Sequence, residues 1–143
     1  MDAGGWTSAG HMYAEQFSSR TGIAVSVRTG VPYERAAAQV EVALFRIAQE
    51  ALNNVAKHAR ARSVEITLER QGSAYVMSVV DDGIGFGASG EHPDLPSTAL
   101  RMVTMRERAQ AVGGRLSIEQ RPTGGTRLTV SVPQPRPSTR SAA

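Results

Sequence analysis

The sequence contains no cysteine, which excludes a disulfide framework, a thiol nucleophile and a zinc site built on thiolates. Its three histidines, His11, His58 and His92, lie far apart along the chain, so no transition-metal motif forms from them by spacing. Aromatic residues are scarce, with three Phe, three Tyr and one Trp, too few for a platform that stacks nucleic-acid bases. Lysine is nearly absent, Lys57 being the only one. The formal net charge of +3 therefore rests on arginine, and most arginines are interleaved with Glu34, Glu41, Glu50, Glu65, Glu69 and Glu107. That pattern reads as a mixed, solvated surface rather than the clustered cations a phosphate backbone attracts. No run approaches the roughly 18 consecutive apolar residues of a membrane-spanning helix, and Met1-Asp2-Ala3-Gly4-Gly5-Trp6 lacks the basic-then-apolar order of a secretory leader. We expect no nucleic-acid partner, no membrane contact by this segment and a cytoplasmic location, with any membrane anchor lying elsewhere in a longer protein.

What remains is a chain of 143 residues that is 41% hydrophobic, enough for one buried core. Residues Trp6 to Arg20 carry apolar Met12, Ala14 and Phe17 at roughly helical spacing, and Thr21-Gly22 can stop that helix. Ile23-Ala24-Val25-Ser26-Val27-Arg28 alternates like a strand with one buried face. From about Glu34 to Ala59 there is neither glycine nor proline, and Leu44, Ile47, Ala48, Ala51, Leu52 and Val55 make an apolar stripe, so a long amphipathic helix is expected.

Two alternating segments, Val64–Glu69 and Tyr75–Val80, flank Gln71-Gly72-Ser73 and predict a hairpin. From Gly83 to about Thr98 the chain is rich in Gly, Pro, Ser and Asp and reads as a long surface loop of the kind that often serves as a lid. A helix beginning near Leu100 continues through Ala111 to Gly113-Gly114, and Leu116–Glu119 and Thr126–Val132 are the last strands. Helices between runs of strands predict an α+β fold: a two-layer sandwich, with a mixed sheet covered on one face by about three helices. The expected organisation is a helical segment over residues 1–22, readable as the remnant of a linker, one domain over 23–132, and a disordered tail over 133–143.

Three short segments could carry chemistry. On the long helix, Glu50, Asn54, Lys57 and His58 fall at i, i+4, i+7 and i+8. A carboxylate and an amide oxygen one turn apart can orient Mg²⁺ and its waters, an ion that is usually shared with substrate phosphates, and Lys57 is placed to meet phosphate charge. The same residues would also make an ordinary solvated helix face. In Asp81-Asp82-Gly83-Ile84-Gly85-Phe86, a strand delivers two carboxylates to a glycine turn. Glycine permits close approach of a planar ligand, and a fixed carboxylate accepts a hydrogen bond from an exocyclic amine such as that of adenine. An acidic turn of no chemical purpose would look similar. Before the last strand, Pro122-Thr123-Gly124-Gly125-Thr126 places a hydroxyl where it could reach a ligand or a water beside Asp81, as a plain hairpin loop also would.

The order and spacing of the three segments are more telling than any one. In them the sequence resembles the ATP-binding catalytic domain shared by sensor histidine kinases, gyrase, Hsp90 and MutL. It is most similar to sensor kinases of the nitrate-sensor and lipid-fluidity-sensor type, on Phe45-Arg46-Ile47-Ala48-Gln49-Glu50-Ala51-Leu52-Asn53-Asn54-Val55-Ala56-Lys57-His58-Ala59, Met105-Arg106-Glu107-Arg108-Ala109, Val112-Gly113-Gly114 and Gly125-Thr126. The resemblance covers about residues 23–132 and implies the Bergerat-type ATP-binding fold.

It further implies that Asn54 binds Mg²⁺, that Glu50 orients water or the metal shell, and that Lys57 and His58 lie along the phosphates. Asp81 would take the adenine amine, Gly83 and Gly85 would shape its pocket, and Thr126 would support Asp81. Phe86, Arg101 and Met105 would contribute to the nucleotide site, with residues 86–104 as the lid. Implied partners are a histidine-bearing dimerisation domain and a response regulator of a two-component phosphorelay.

The chain departs from the family in two respects. Ser97-Thr98-Ala99-Leu100-Arg101 stands where a glycine-leucine box would offer backbone amides to phosphate; with Ala99 and Arg101 at the glycine positions, side chains there would obstruct close phosphate approach, or Arg101 would replace the amides with a charged contact. Residues 1–22 are too short to hold the family's phosphoacceptor helix pair, and we expect either an excised domain or a stand-alone relative. Two further readings remain open: a degenerate interaction module of this fold, and an anti-sigma-factor-like serine kinase.

Overall fold

The computed structural model describes residues 6–29, 38–83 and 96–133, with only the backbone described for 6–9, 38, 58, 59 and 96–102. In chain order these form α1 (Trp6–Thr21), β1 (Ala24–Thr29), α2 (Ala38–Asn54), a π-helical turn (Val55–Ala59), β2 (Ser63–Gln71), β3 (Ala74–Asp81), α3 (Pro96–Ala111), β4 (Arg115–Gln120) and β5 (Thr126–Pro133).

The five strands form one sheet in the order β1-β2-β3-β5-β4. β1 runs parallel to β2, and the other three pairings are antiparallel. A parallel pair needs a long crossover, and α2 fills it. Each antiparallel pair is built on period-two alternation. Val64, Ile66 and Leu68 of β2 stand opposite Asp81, Val79 and Met77 of β3. Met77 and Val79 in turn face Val130 and Leu128 of β5. All of these side chains are buried, whereas the intervening positions are only partly so. One face of the sheet therefore meets the helices and the other carries polar contacts such as the 2.6 Å hydrogen bond between the Thr67 and Ser78 hydroxyls. The expected mixed sheet with three helices is what the described residues form.

α2 supplies the centre of the core. Leu44, Ile47, Ala48, Ala51, Leu52 and Val55 are all buried against the sheet, as its stripe predicted. α1 seats Phe17, which is fully buried, and Ala14, while Met12 is exposed; the helix presents a narrower apolar face than its sequence suggests. α1 ends where the Gly22 amide donates to the Ser18 carbonyl at 2.8 Å.

The long helix differs from expectation in its last turn. α-Helical bonding stops at Asn54, and Val55–Ala59 form a π turn that closes at Arg60, whose φ of 53° is left-handed. Residues 34–37 lie outside the described segments. Composition cannot signal this change, because a π turn keeps the helical dihedral region and alters only the bonding register. α3 begins at Pro96, four residues before the expected start, and proline suits a first helical turn because its missing amide is not needed there. Its far end is a Schellman cap: the Gly114 amide donates to Ala109 at 2.8 Å and the Gly113 amide to Gln110 at 2.9 Å. Gly114 is forced by crowding, since a Cβ there would lie 2.8 Å from the Ser131 carbonyl oxygen.

Candidate functional site

Period-two alternation along β3 puts Tyr75, Met77, Val79 and Asp81 on the helix-covered face. Asp81 is thus the last residue of a buried row, and only 5% of it is exposed. The Gly83 amide donates to its Oδ1 at 2.8 Å, and the backbone amide of Thr126 also donates to the carboxylate. Burial pushes the Asp81 carboxyl up from the ordinary aspartate range. The two amides draw it down, Asp82 raises it and Arg121 lowers it; desolvation is the largest influence and the net shift is upward.

The loop between β4 and β5 backs this strand end. Arg121 donates from Nη1 to the Asp81 carbonyl oxygen at 3.0 Å. The turn is closed by the Arg121 amide on the Gly125 carbonyl and the Gly124 amide on the Arg121 carbonyl. Gly125 has φ +93°, and a Cβ on it would overlap the Asp81 carbonyl oxygen and lie 2.8 Å from its carbonyl carbon. Only glycine fits that contact. Thr126 therefore supports Asp81 through its amide, in addition to whatever its side chain does.

The neighbouring carboxylate has a different task. Asp82 is exposed, and it accepts the Arg62 amide at 2.9 Å, the Ser63 amide at 3.1 Å and the Ser63 hydroxyl at 2.9 Å. Desolvation, its largest single influence, raises the Asp82 carboxyl, but these hydrogen bonds together outweigh it and leave the group below the ordinary range. Asp82 pins the start of β2 to the end of β3. Of the two acids the sequence offers, only Asp81 points into the protein.

On α2, Asn54 is 1% exposed, yet neither its Oδ1 nor its Nδ2 has a hydrogen-bond partner. One turn earlier, Glu50 Oε1 is buried and likewise unpartnered, while Oε2 makes a 3.5 Å ionic contact with Arg108 Nε of α3. Four buried polar atoms without partners occur among the described residues, and all four belong to Glu50, Asn54 and Arg108. A buried polar atom left unpaired costs about 1–3 kcal/mol. Their concentration on two side chains of one helix face and a third across the α2–α3 interface makes this the candidate ligand site.

The donor set also says which metal would suit. Among the described residues no three His, Cys, Asp or Glu side chains come together. An amide oxygen and one carboxylate are, however, what Mg²⁺ takes from a protein when water and phosphate supply the rest. Glu50 and Asn54 fit that ion.

Lys57 is exposed and lies within the π turn, so its angular step from Asn54 is not that of a regular α-helix. Met105 is fully buried and packs in the core. Gly85 and Phe86 lie outside the described residues. His58 and Arg101 fall in the π turn and in α3, and their side chains lie outside the described parts. The lid expected over 86–104 overlaps α3, because residues 96–104 are helical. The spacing had no means of revealing Arg108 or Arg121, since each reaches the site from a different element.

Against known families, residues 39–136 match the family described as Histidine kinase-, DNA gyrase B-, and HSP90-like ATPase. The chain belongs to that family. Among curated proteins it is 35% identical over 121 residues to the signal transduction histidine-protein kinase/phosphatase DegS of Brevibacillus brevis, covering 85% of this chain and 30% of the relative. It is 33% identical over 133 residues to the oxygen sensor histidine kinase NreB of Staphylococcus carnosus (strain TM300), covering 93% and 38%. The chain thus spans about a third of the length of these relatives.

Among solved structures, the histidine kinase domain of the blue-light activated histidine kinase from Erythrobacter litoralis EL346 superposes with a TM-score of 0.74 at 20% identity, over 91% of this chain and 61% of that one. The ATP binding domain of PrrB from Mycobacterium tuberculosis gives 0.68 at 23%, over 87% and 90%. The fold of this family member is accordingly that of histidine kinase ATP-binding domains.

Proposed function

We propose that this family member binds ATP with Mg²⁺ as the catalytic domain of a sensor histidine kinase, donating the γ-phosphoryl group to a histidine on a separate dimerisation domain that passes it to a response regulator. The observation that carries the reading is Asn54, buried with both amide atoms unpartnered one turn after Glu50. The ATPase family and the two kinase relatives support it.

In this reading Asp81, fixed by the Gly83 and Thr126 amides, accepts the exocyclic amine of adenine. Asn54 Oδ1 and Glu50 would hold a hydrated Mg²⁺, which when bound would supply positive charge to offset that of the phosphates. Lys57, exposed at the helix end, meets the phosphates, with His58 and Arg101 as further phosphate contacts. Gly83, Gly85 and Phe86 shape the base pocket. Catalysis then rests on positioning and electrostatics rather than on covalent chemistry by the protein.

The test is calorimetry with a non-hydrolysable ATP analogue, with and without Mg²⁺, on the wild type, Asp81→Asn and Asn54→Ala. Loss of a hydrogen bond to a charged acceptor, about 1.5–3 kcal/mol, predicts at least a tenfold weaker complex for Asp81→Asn. Asn54→Ala is expected to lose the part of the affinity that Mg²⁺ adds. A folded wild type that does not bind the analogue would instead make the chain a non-catalytic module of the same fold. Phosphorylation of an added histidine-bearing helical domain, and not of a serine-bearing partner, completes the assignment.

A further inference from the structure

We infer that Arg108 is a positioning residue for the metal half of the site, holding the Glu50 carboxylate by one oxygen so that the other is presented to a metal-bound water. The inference rests on the functional reading of Glu50 given above. Arg108 lies on α3, and its Nε approaches Glu50 Oε2 at 3.5 Å, with the two side chains 39% and 23% exposed. The division between the two carboxylate oxygens carries the argument. Oε2 is engaged by the cation, whereas Oε1 is buried without a partner, as are both amide atoms of Asn54 four residues along the same helix. Residues four apart on a helix are neighbours on one face.

A glutamate on a helix face has several open rotamers, and a lone buried carboxylate is costly. A guanidinium from the next helix limits the rotamers and offsets the charge without occupying Oε1. At 3.5 Å the contact is ionic and longer than a strong hydrogen bond. The Arg108 Nε, which has no hydrogen-bond partner, marks the pair as one whose geometry is open to tightening when a ligand arrives. The arrangement also ties α2 to α3, so the position of α3 is read directly at Glu50.

Groups that orient a metal's first ligands typically change metal affinity by about 10–100-fold when removed. The experiment measures the ratio of ATP-analogue affinity with Mg²⁺ to that without it, by calorimetry, on the intact chain, the Arg108→Met, Arg108→Lys and Glu50→Gln variants and the Glu50→Gln/Arg108→Met double variant. Melting of each unliganded protein is recorded alongside. Arg108→Met is expected to cut the Mg²⁺ enhancement by about tenfold while leaving metal-free binding unchanged. Arg108→Lys, which keeps the charge and loses the planar fork, is expected to recover part of it. The double variant is expected to lose no more than Glu50→Gln alone.

A normal Mg²⁺ enhancement in Arg108→Met beside a reduced one in Glu50→Gln would overturn this inference and leave the functional reading standing. Normal enhancement in both would overturn the two together. Equal weakening of binding with and without Mg²⁺, tracking a lower melting temperature, would reduce Arg108 to a structural strut. Should Arg108→Met fail to fold, Arg108→Lys decides alone, because a role confined to charge predicts full enhancement and a positioning role does not.

Discussion

Asp81 and Asp82 are adjacent acids with opposite environments, and the difference is testable by pH. Asp81 is buried and its carboxyl is raised above the ordinary value of about 3.9. In the folded protein its ionised form is therefore disfavoured relative to the unfolded chain, a cost present at neutral pH that disappears as pH falls below the unfolded value. Binding an amine needs that same ionised form. Nucleotide affinity is expected to weaken on acidification at a pH above the ordinary aspartate range, as titration calorimetry at successive pH values would record. Asp81→Asn should abolish that pH dependence, with a melting temperature close to that of the wild type, since neutral Asn carries no desolvated charge and still offers an oxygen to the Gly83 amide.

Asp82 behaves in the reverse sense. Its carboxyl is lowered, so its stabilising contribution is present above about 3.9 and is lost as pH falls through the lower folded value. Asp82→Ala removes three acceptor contacts on an exposed side chain. It should cost about 1–2 kcal/mol of stability by urea unfolding at pH 7, a cost that shrinks in acid.

At the scale of elements, the seat of Asp81 is a contact between the end of β3 and the turn that precedes β5. Gly125 and Gly124 both have positive φ, but only at Gly125 would a Cβ strike the Asp81 backbone; at Gly124 the nearest atom is the Gly83 carbonyl oxygen at 3.6 Å. Gly124→Ala is expected to cost about 1 kcal/mol, from backbone strain alone. Gly125→Ala adds overlap with backbone that cannot move aside, and about 3 kcal/mol or more is expected, together with weaker nucleotide binding because Asp81 shifts. Equal destabilisation in the two variants, measured by chemical denaturation, would show that the contact with β3 is not what requires glycine.

The same elements explain how far the sequence could be read. α2 was legible because its apolar stripe recurs without Gly or Pro, and the strands because period-two alternation survives in each. Even the separation of Asp81 from Asp82 follows from alternation, as Asp81 shares parity with Met77 and Val79. The π turn was hidden, since it depends on bonding register and not on residue type. The start of α3 was obscured by Pro96, which stops a helix and opens one equally well. Arg108 and Arg121 were invisible as site residues because their roles exist only once α3 lies beside α2 and the β4–β5 turn lies beside β3.

At the scale of the whole molecule, α1 falls outside the segment matched to the family, which begins at residue 39, yet it contributes to the same core. Phe17 is fully buried within the core cluster. Tyr13 packs on it at a ring separation of 6.4 Å and meets Phe45 of α2 edge-on at 5.9 Å, and the Arg20 guanidinium lies over the Phe17 ring at 5.4 Å. A segment serving only as a linker would not need to surrender a phenylalanine to the interior. We therefore expect α1 to be part of the folding unit rather than an appendage to it.

Phe17→Ala would leave a cavity between α1, α2 and the β1 edge of the sheet, where both lost burial and poor collapse add to the cost, about 3–5 kcal/mol. For a chain of this length that corresponds to a fall in melting temperature of roughly 10 °C. The site residues Glu50, Asn54 and Asp81 lie on α2 and β3, so nucleotide affinity measured well below the transition should stay within about twofold of the wild type. A melting temperature within about 2 °C of the wild type would overturn the expectation, and α1 would then be a linker resting on a core that is complete without it.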